Sequence, residues 1–317
     1  MKSFNGMQGY FLVLFGPTGV GKSEVALMLS QELPSEIVNI DMGQFYTPLS
    51  IGTAKPNWCT IPVPHHLFDI LNDPVNFTVI DYRKRFLETA GQIWQRHNLP
   101  IVVGGSCFYV QAIFFPPRAS VEEVLKTVCP VNDTDLWKQL YEIDPKRALK
   151  IHPHDIYRIK RALEIWRSTG KKPSVLVPFY DPPATFTLIC LIRDRADLYN
   201  RIDKRTEEMI DAGWIDEVKA MLSTPWEQFL RTKKFIGYSE ILDYLEGKRN
   251  LSETIALIQQ ETRNYAKRQL TFWRMMEKQL CNESLSPTTT IETVNLTSTD
   301  LNLYIKQLSK RLMLLLP

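Results

Sequence analysis

The sequence predicts an α/β protein built on a parallel sheet with helices on both of its faces. Three observations carry that prediction. Short, near-continuous apolar runs alternate with longer helical patterns through the first hundred residues. A glycine-rich loop, Gly16 to Ser23, separates the first apolar run from the first helical pattern. A further run, residues 185–193, follows a segment that reads as helix. Strands buried on both faces lose the polar alternation of one-sided sheets, so their apolar runs are continuous.

In chain order, "YFLVLFG" reads as a strand and "KSEVALMLSQEL" has the apolar spacing of a helix. "EIVNID" is a second strand, and "LPIVVGG" a third after the helical pattern "IDYRKRFLETAGQIWQRHN". Residues 118–184 read mostly as helix, with proline breaks at Pro130, Pro145, Pro153 and Pro173. This segment is expected to be a helical insertion, leaving 1–117 and 185–317 as the sheet core with C-terminal helices. "TFTLICLIR" is a fourth strand, and the pattern is helical again after residue 194. The polar run 282–300 is expected to be a loop or tail, followed by one amphipathic helix. No internal repeat is visible.

Composition narrows the class. Among 317 residues, 44% are hydrophobic and 23% charged, which suits a globular protein with a full core. The net charge of +3 is too mild to argue nucleic-acid binding by itself, so any such claim rests on where the charge sits. Cys59, Cys107, Cys129, Cys190 and Cys281 are scattered and never spaced C-x-x-C. They read as reduced thiols of a cytoplasmic protein, forming neither a disulfide framework nor a zinc site. The apolar run Tyr10–Phe15 and the final "LMLLLP" are too short to span a membrane.

The chemistry starts at Gly16-Pro17-Thr18-Gly19-Val20-Gly21-Lys22-Ser23. A strand before this loop and a helix after it turn the pattern into a phosphate cradle. Glycines let successive N–H groups converge on phosphate oxygens, and the helix N-terminus adds positive potential. Lys22 supplies a point charge, and the Ser23 hydroxyl suits Mg2+. A nucleotide hydrolase would add an acid at another strand end, but "LPIVVGG" runs into Ser106 with no carboxylate. The acid comes in "EIVNIDMGQFY": Asp41 stands at a strand tip, where an open parallel sheet places its ligand crevice. Asp41 there could hold metal or accept a proton from a nucleophile; a turn aspartate is the structural alternative.

Several further stretches resemble one family, the tRNA dimethylallyltransferases, also called tRNA isopentenyltransferases. Besides "GPTGVGKS" they are "IGTAKP" (51–56), "PHHLFDI" (64–70), "LPIVVGGSCFY" (99–109), "IHPHDIYRIKRALEI" (151–165), "FIGYSEILDYLEG" (235–247) and "TRNYAKRQLTFWR" (262–274). They stand in the family's order and cover roughly residues 10–275. The resemblance implies a P-loop α/β sheet of the nucleotide-kinase kind. It also implies transfer of a dimethylallyl group from its diphosphate to N6 of the adenosine 3′ of the anticodon in tRNA. Diphosphate would then be the leaving group, stabilised by the loop, Lys22 and Ser23-bound Mg2+. Asp41 corresponds to the family's general base, and Thr18 and Ser106 would line the channel that receives the flipped adenine. Either hydroxyl could equally bond nearby backbone.

On the same basis, residues Asp41, Met42, Gly43, Gln44 and Ser106 would meet the base. Tyr157, Arg158, Ile159, Lys160 and Arg161 on one helix, and Arg263, Lys267 and Arg268 on another, would meet the anticodon stem-loop. Salt bridging with Glu164 is the competing account of Arg158 and Arg161. At helical spacing Arg263, Lys267 and Arg274 share a face, with Tyr265 and Phe272 roughly opposite, and the resemblance implies that these aromatics turn inward. Asn39 and Met42 depart from the family's usual serines, Gly43 is smaller than usual, and an arginine that relatives use towards tRNA appears as Leu125 or is absent. Lys233 and Lys234 precede "FIGY", where some relatives carry an arginine. His65 and His66 are read as structural. With Cys281 alone and no zinc finger, the chain resembles the bacterial form. A cytoplasmic monomer, with no obligate protein partner, suffices for this chemistry. A small-molecule kinase, an isopentenyltransferase of free AMP or ATP, and an RNA binder without catalysis stay open as alternatives.

Overall fold

The computed structural model describes residues 3–4, 7–116, 136–176 and 179–315. Its compact units are Met1–Phe114 with Pro182–Pro317, and Phe115–Asp181. The expected start of the insertion at residue 118, with Leu125, Cys129 and Pro130, lies outside the described residues.

In the first unit, β1 (Tyr10–Phe15) leads through the glycine-rich loop to α1 (Lys22–Glu32) and β2 (Ser35–Asn39). A two-residue β3 (His65–His66), α2 (Val79–Gln95), β4 (Leu99–Gly104) and α3 (Cys107–Phe114) follow. After the second unit come β5 (Thr185–Ile192), α7 (Arg195–Asp211), α8 (Trp214–Lys219), α9 (Pro225–Lys233), α10 (Tyr238–Leu245) and α11 (Leu251–Cys281). The unit closes with β6 (Thr290–Asn295) and α12 (Leu301–Met313). A small antiparallel pair, Ser3–Phe4 with Met7–Gln8, precedes β1.

Among the described residues the main sheet has six strands in the order β3-β2-β4-β1-β5-β6, every neighbouring pair parallel. Alternation along β1 divides the core, as a pleated strand must. Leu12 and Leu14 face α1 and α12 through Val25, Leu29, Ile305 and Leu308. Phe11 turns the other way onto Phe86 of α2, Phe114 of α3 and Phe186, and Phe15 lies against Trp273 of α11 at 5.9 Å between centroids. With both faces covered, β1, β2 and β4 are buried throughout, which is why β1 and β4 read as near-continuous apolar runs, while β2 buries the polar Ser35, Glu36 and Asn39 beside Ile37 and Val38.

The sequence reading needs one correction here. Residues 290–295, expected within a loop or tail, form β6 and extend the sheet alongside β5, from Thr187↔Thr290 to Ile192↔Asn295. An edge strand keeps one side in solvent, so its residues are only half-buried and its composition stays polar.

The second unit holds α4 (Leu136–Ile143), α5 (Pro145–Ala148) and α6 (Ile156–Thr169) around Leu136, Leu140, Ile151, Ile159 and Leu163. Asp144 caps α5 by accepting the Arg147 N–H at 3.1 Å, and also accepts the Ser174 N–H at 2.7 Å.

Candidate active site

Three neighbouring strands, β2, β4 and β1, end on one edge of the sheet, and their trailing segments meet there. The loop after β1 enters α1 through Gly21, which offers no side-chain cap, so the first amides of the helix stay available to an anion. Lys22 Nζ arches back over the loop, donating to the carbonyls of Gly16 at 3.0 Å and Pro17 at 2.9 Å. Ser23 is exposed beside it and lines a cavity of about 490 Å3 that Lys22, Glu24 and Asp41 also line.

Asp41 follows β2 directly. Its neighbour Asn39 holds the backbone there from both sides, accepting the Asp41 N–H at 2.8 Å and donating to the Asp41 carbonyl at 3.2 Å. That double clasp is the structural work of Asn39, one of the residues flagged as a departure. Ser106, at the tip of β4, accepts the Met42 N–H at 2.9 Å, so its hydroxyl does bond backbone, fixing the segment that carries Asp41. One carboxylate oxygen of Asp41 accepts the Gly43 N–H at 3.4 Å. Gln44 reaches to the carbonyls of Thr53 at 3.0 Å and Ala54 at 3.4 Å, within the IGTAKP stretch.

The electrostatics are those of a water-poor cleft. Burial pushes the Asp41 carboxyl above its ordinary value, although Lys22, the Gly43 N–H and Arg205 pull the other way. Burial also lowers the Lys22 ammonium to about 8, against the attraction of Asp41. Arg205, itself lowered by burial, is drawn towards Asp41.

The helix after residue 194 was expected, but not that it supplies Arg205 to the site. Along α7, Arg201 donates to the Gly19 carbonyl at 2.9 Å, and Arg205 reaches the Thr18 hydroxyl at 3.5 Å. Arg193, just before that helix, donates to the Val20 carbonyl at 2.8 Å. The only trace in the sequence is the i, i+4 spacing of Arg201 and Arg205 after a buried strand, a spacing that many solvated helix faces share. Gln269 of α11 was missed too. Its side chain accepts the Thr18 N–H at 3.0 Å and donates to the Gly105 carbonyl at 2.8 Å. A Cβ on Gly105 would stand 2.2 Å from the Gln269 amide nitrogen and 2.9 Å from the Gly16 carbonyl, so the second glycine of the Gly-Gly pair is needed for close approach.

A second cavity, about 400 Å3, also borders Asp41. Thr18, Asp41, Thr53 and Arg205 line both chambers, so the carboxylate stands where they meet. The second is walled by Met209, Trp214, Phe235, Ile236 and Tyr265, with Met42, Lys233, Lys234 and Arg268 also lining it. Trp214 explains two of the motif glycines. A Cβ on Gly52 would fall 2.1 Å from its indole nitrogen, and one on Gly237 would fall 1.9 Å from its ring. Glu217 then secures the loop, accepting the N–H groups of Ser50, Ile51 and Gly52 at 3.1, 2.7 and 3.2 Å and the Tyr238 hydroxyl at 2.6 Å.

The remaining predicted residues fall as follows. Lys267 and Arg268 are exposed on α11, and Arg263 is paired with Asp203 of α7. Tyr265 turns inward to the second cavity, while Phe272 is half-buried against Phe108. In the second unit Tyr157 is 81% exposed, Arg158 pairs with Asp155 at 3.3 Å and Arg161 with Glu164 at 3.7 Å. Ile159 differs from its neighbours. Its side chain is fully buried among Leu140, Ile151 and Leu163, so the outward face of α6 belongs to Tyr157, Arg158 and Lys160. His65 and His66, read as structural, each have a fixed partner: one ring bonds the Val63 carbonyl at 2.7 Å, the other Glu36 at 2.6 Å, and His65 also lines the first cavity.

The whole arrangement has close counterparts. The sequence model of the IPP transferase family matches residues 44–276. A tRNA dimethylallyltransferase of Fervidobacterium nodosum is 39% identical over 294 residues, spanning 90% of this chain and 95% of that one. The full-length tRNA isopentenylpyrophosphate transferase of Bacillus halodurans superposes with a TM-score of 0.67 at 31% identity, covering 97% of this chain and 96% of its own. A eukaryotic dimethylallyltransferase, solved acting on tRNA, gives a TM-score of 0.76 at 26% identity, over 96% of this chain and 78% of that one. With the family model spanning residues 44–276 and a relative 39% identical over 90% of the chain, the chain belongs to the IPP transferase family.

Proposed function

We propose that this chain is a tRNA dimethylallyltransferase, moving the dimethylallyl group of its diphosphate to N6 of the adenosine 3′ of the anticodon. The observation that carries the reading is the position of Asp41: one carboxylate between a cationic phosphate chamber and a second chamber with apolar walls. The diphosphate occupies the loop after β1, and the adenine enters through the second chamber. The N6 nitrogen attacks C1 of the dimethylallyl group, the C1–O bond breaks and diphosphate leaves. Asp41 accepts the N6 proton, and its raised pKa makes it a better acceptor than an ordinary carboxylate. Loop amides, Lys22 and Arg205 take up the charge that grows on the departing oxygens. Thr18 is held at the junction by Gln269 and Arg205.

Ser23 lines the first cavity beside Lys22, and its hydroxyl is a hard oxygen donor of the kind Mg2+ takes, so it is the residue that would hold the ion. When bound, Mg2+ supplies further neutralisation of diphosphate charge. The described cysteines, Cys59, Cys107, Cys190 and Cys281, are free thiols, which supports action in the reducing cytoplasm. No described helix is long and apolar enough to cross a membrane.

The test is incubation with labelled dimethylallyl diphosphate and unmodified tRNA, with AMP, or with neither. Label in tRNA is the expected result. Label on AMP would indicate a mononucleotide enzyme, and tight tRNA binding without transfer a non-catalytic binder. ATP turnover without transfer would indicate a kinase.

A further inference from the structure

Phe108 is 67% exposed, more than any other aromatic side chain described in the sheet unit. It stands in the first turn of α3, two residues after Ser106, which lines the second chamber. Its ring meets Phe272 of α11 edge to face, centroids 5.6 Å apart. Phe272 lies one turn beyond Arg268, another residue of that chamber. Met275, three residues further along α11, is 51% exposed. The two helices are pinned a little further on, where Gln111 donates to Gln279 at 3.2 Å. The chemistry already described does not use this pair.

We propose that Phe108 and Phe272 form a stacking platform for a nucleobase flanking the extracted adenine. The inference rests on the functional reading above. Pulling one base out of a single-stranded loop strips its neighbours of a stacking face, and an aromatic ring beside the entrance restores it. Charge selects a polyanion as the occupant: Lys267, Arg268 and Arg274 are exposed on the same stretch of α11. A lone surface phenylalanine would need no explanation. Two rings packed on each other beside the chamber mouth, with basic side chains around them, match what single-stranded RNA requires.

The experiment uses the whole chain and an anticodon stem-loop RNA carrying 2-aminopurine on one side or the other of the target adenosine. The expected result is quenching of the probe at one flanking position when the unaltered chain binds. F108A should weaken RNA affinity by about tenfold, the scale of one lost base–aromatic stack, and relieve that quenching. F272A should do the same and F108W should retain both signals. Because the rings carry no charge, the salt slope of binding should stay that of the unaltered chain. Undiminished affinity and quenching in F108A, with the unaltered chain transferring label normally, would overturn the platform alone. If the unaltered chain neither binds nor modifies the RNA, the functional reading falls and the platform with it. Because Phe108 is exposed, its truncation should leave the fold intact, which matching thermal transitions of the variants and the unaltered chain check.

Discussion

The side-chain oxygen of Gln269 accepts the backbone N–H of Thr18 at 3.0 Å, while its amide nitrogen donates to the Gly105 carbonyl at 2.8 Å. One buried amide therefore ties the loop after β1 to the tip of β4, and does so from the helix that also displays Lys267 and Arg268. Gln269→Leu keeps the volume and removes both bonds. It should cost about 2–4 kcal/mol in a denaturant titration, the penalty for two backbone groups left unpaired. Turnover should fall at least about tenfold as Thr18 drifts, since small misplacements in a site are costly. Unchanged stability together with unchanged turnover would show that the bridge is idle.

How much of this was legible beforehand follows from range. The cradle from Gly16 to Ser23 and the strand-tip Asp41 are local: a strand, a turn and a helix start announce themselves within a dozen residues. Arg201, Arg205 and Gln269 reach the same loop from helices that packing alone brings there. Helical periodicity says which residues share a face, but not which distant loop that face meets. The edge strand Thr290–Asn295 was hidden for a related reason, because half-exposed strands need not look apolar. Gly52 and Gly237 were visible as motif residues, but only the Trp214 ring between them gives the reason.

The lowered Lys22 sets an expectation for pH. Lysine holds phosphate only when protonated, and burial brings that proton's loss down to about 8. Thus kcat/KM for dimethylallyl diphosphate should fall as pH rises through about 8, by about tenfold per unit once Lys22 is mostly neutral. The acid limb belongs to Asp41 and should lie above the ordinary carboxylate range, because burial raises it. Lys22→Arg should be less active yet lose the alkaline limb, as a guanidinium does not titrate there. An alkaline limb of the same midpoint in that variant would assign it to another group.

The indole of Trp214 leaves no room at Gly52. Gly52→Ala places a methyl carbon 2.1 Å from the indole nitrogen and 2.6 Å from the Tyr238 ring. Overpacking of this kind should destabilise the fold by about 1–3 kcal/mol and deform the wall of the second chamber. Adding Trp214→Phe should recover part of the loss, a coupling that a double-mutant cycle measures directly. Strictly additive effects would mean that the two positions do not press on each other.

Arg263 and Lys267 look equivalent in the sequence, one turn apart, and the structure separates them. Arg263 is paired with Asp203, whereas Lys267 is exposed, its ammonium 6.0 Å from the Tyr199 ring. Lys267→Ala should weaken tRNA binding and lower the salt slope by about one unit, the signature of one lost phosphate contact. Arg263→Ala should change the slope less, because its charge is already partly matched by Asp203. Equal slopes for Lys267→Ala and the unaltered chain would remove Lys267 from the RNA contact surface.

Asp41 offers the sharpest separation of binding from chemistry. Its segment is shaped by backbone bonds, from Asn39 to the Asp41 main chain and from Met42 to Ser106, so the side chain can be changed without releasing the loop. Asp41→Asn keeps the shape and still accepts a hydrogen bond from N6, but it cannot take a proton there. Turnover should fall at least about 100-fold, the scale of a lost general base, with tRNA affinity nearly unchanged. Diphosphate release in the presence of tRNA should slow in the same proportion if one diphosphate leaves for each group transferred. Asp41→Ala should be equally slow, and the rates of both variants should lose the acid limb that the carboxyl imposes. If Asp41→Asn instead turned over normally while retaining the acid limb, the proton would be leaving through another group.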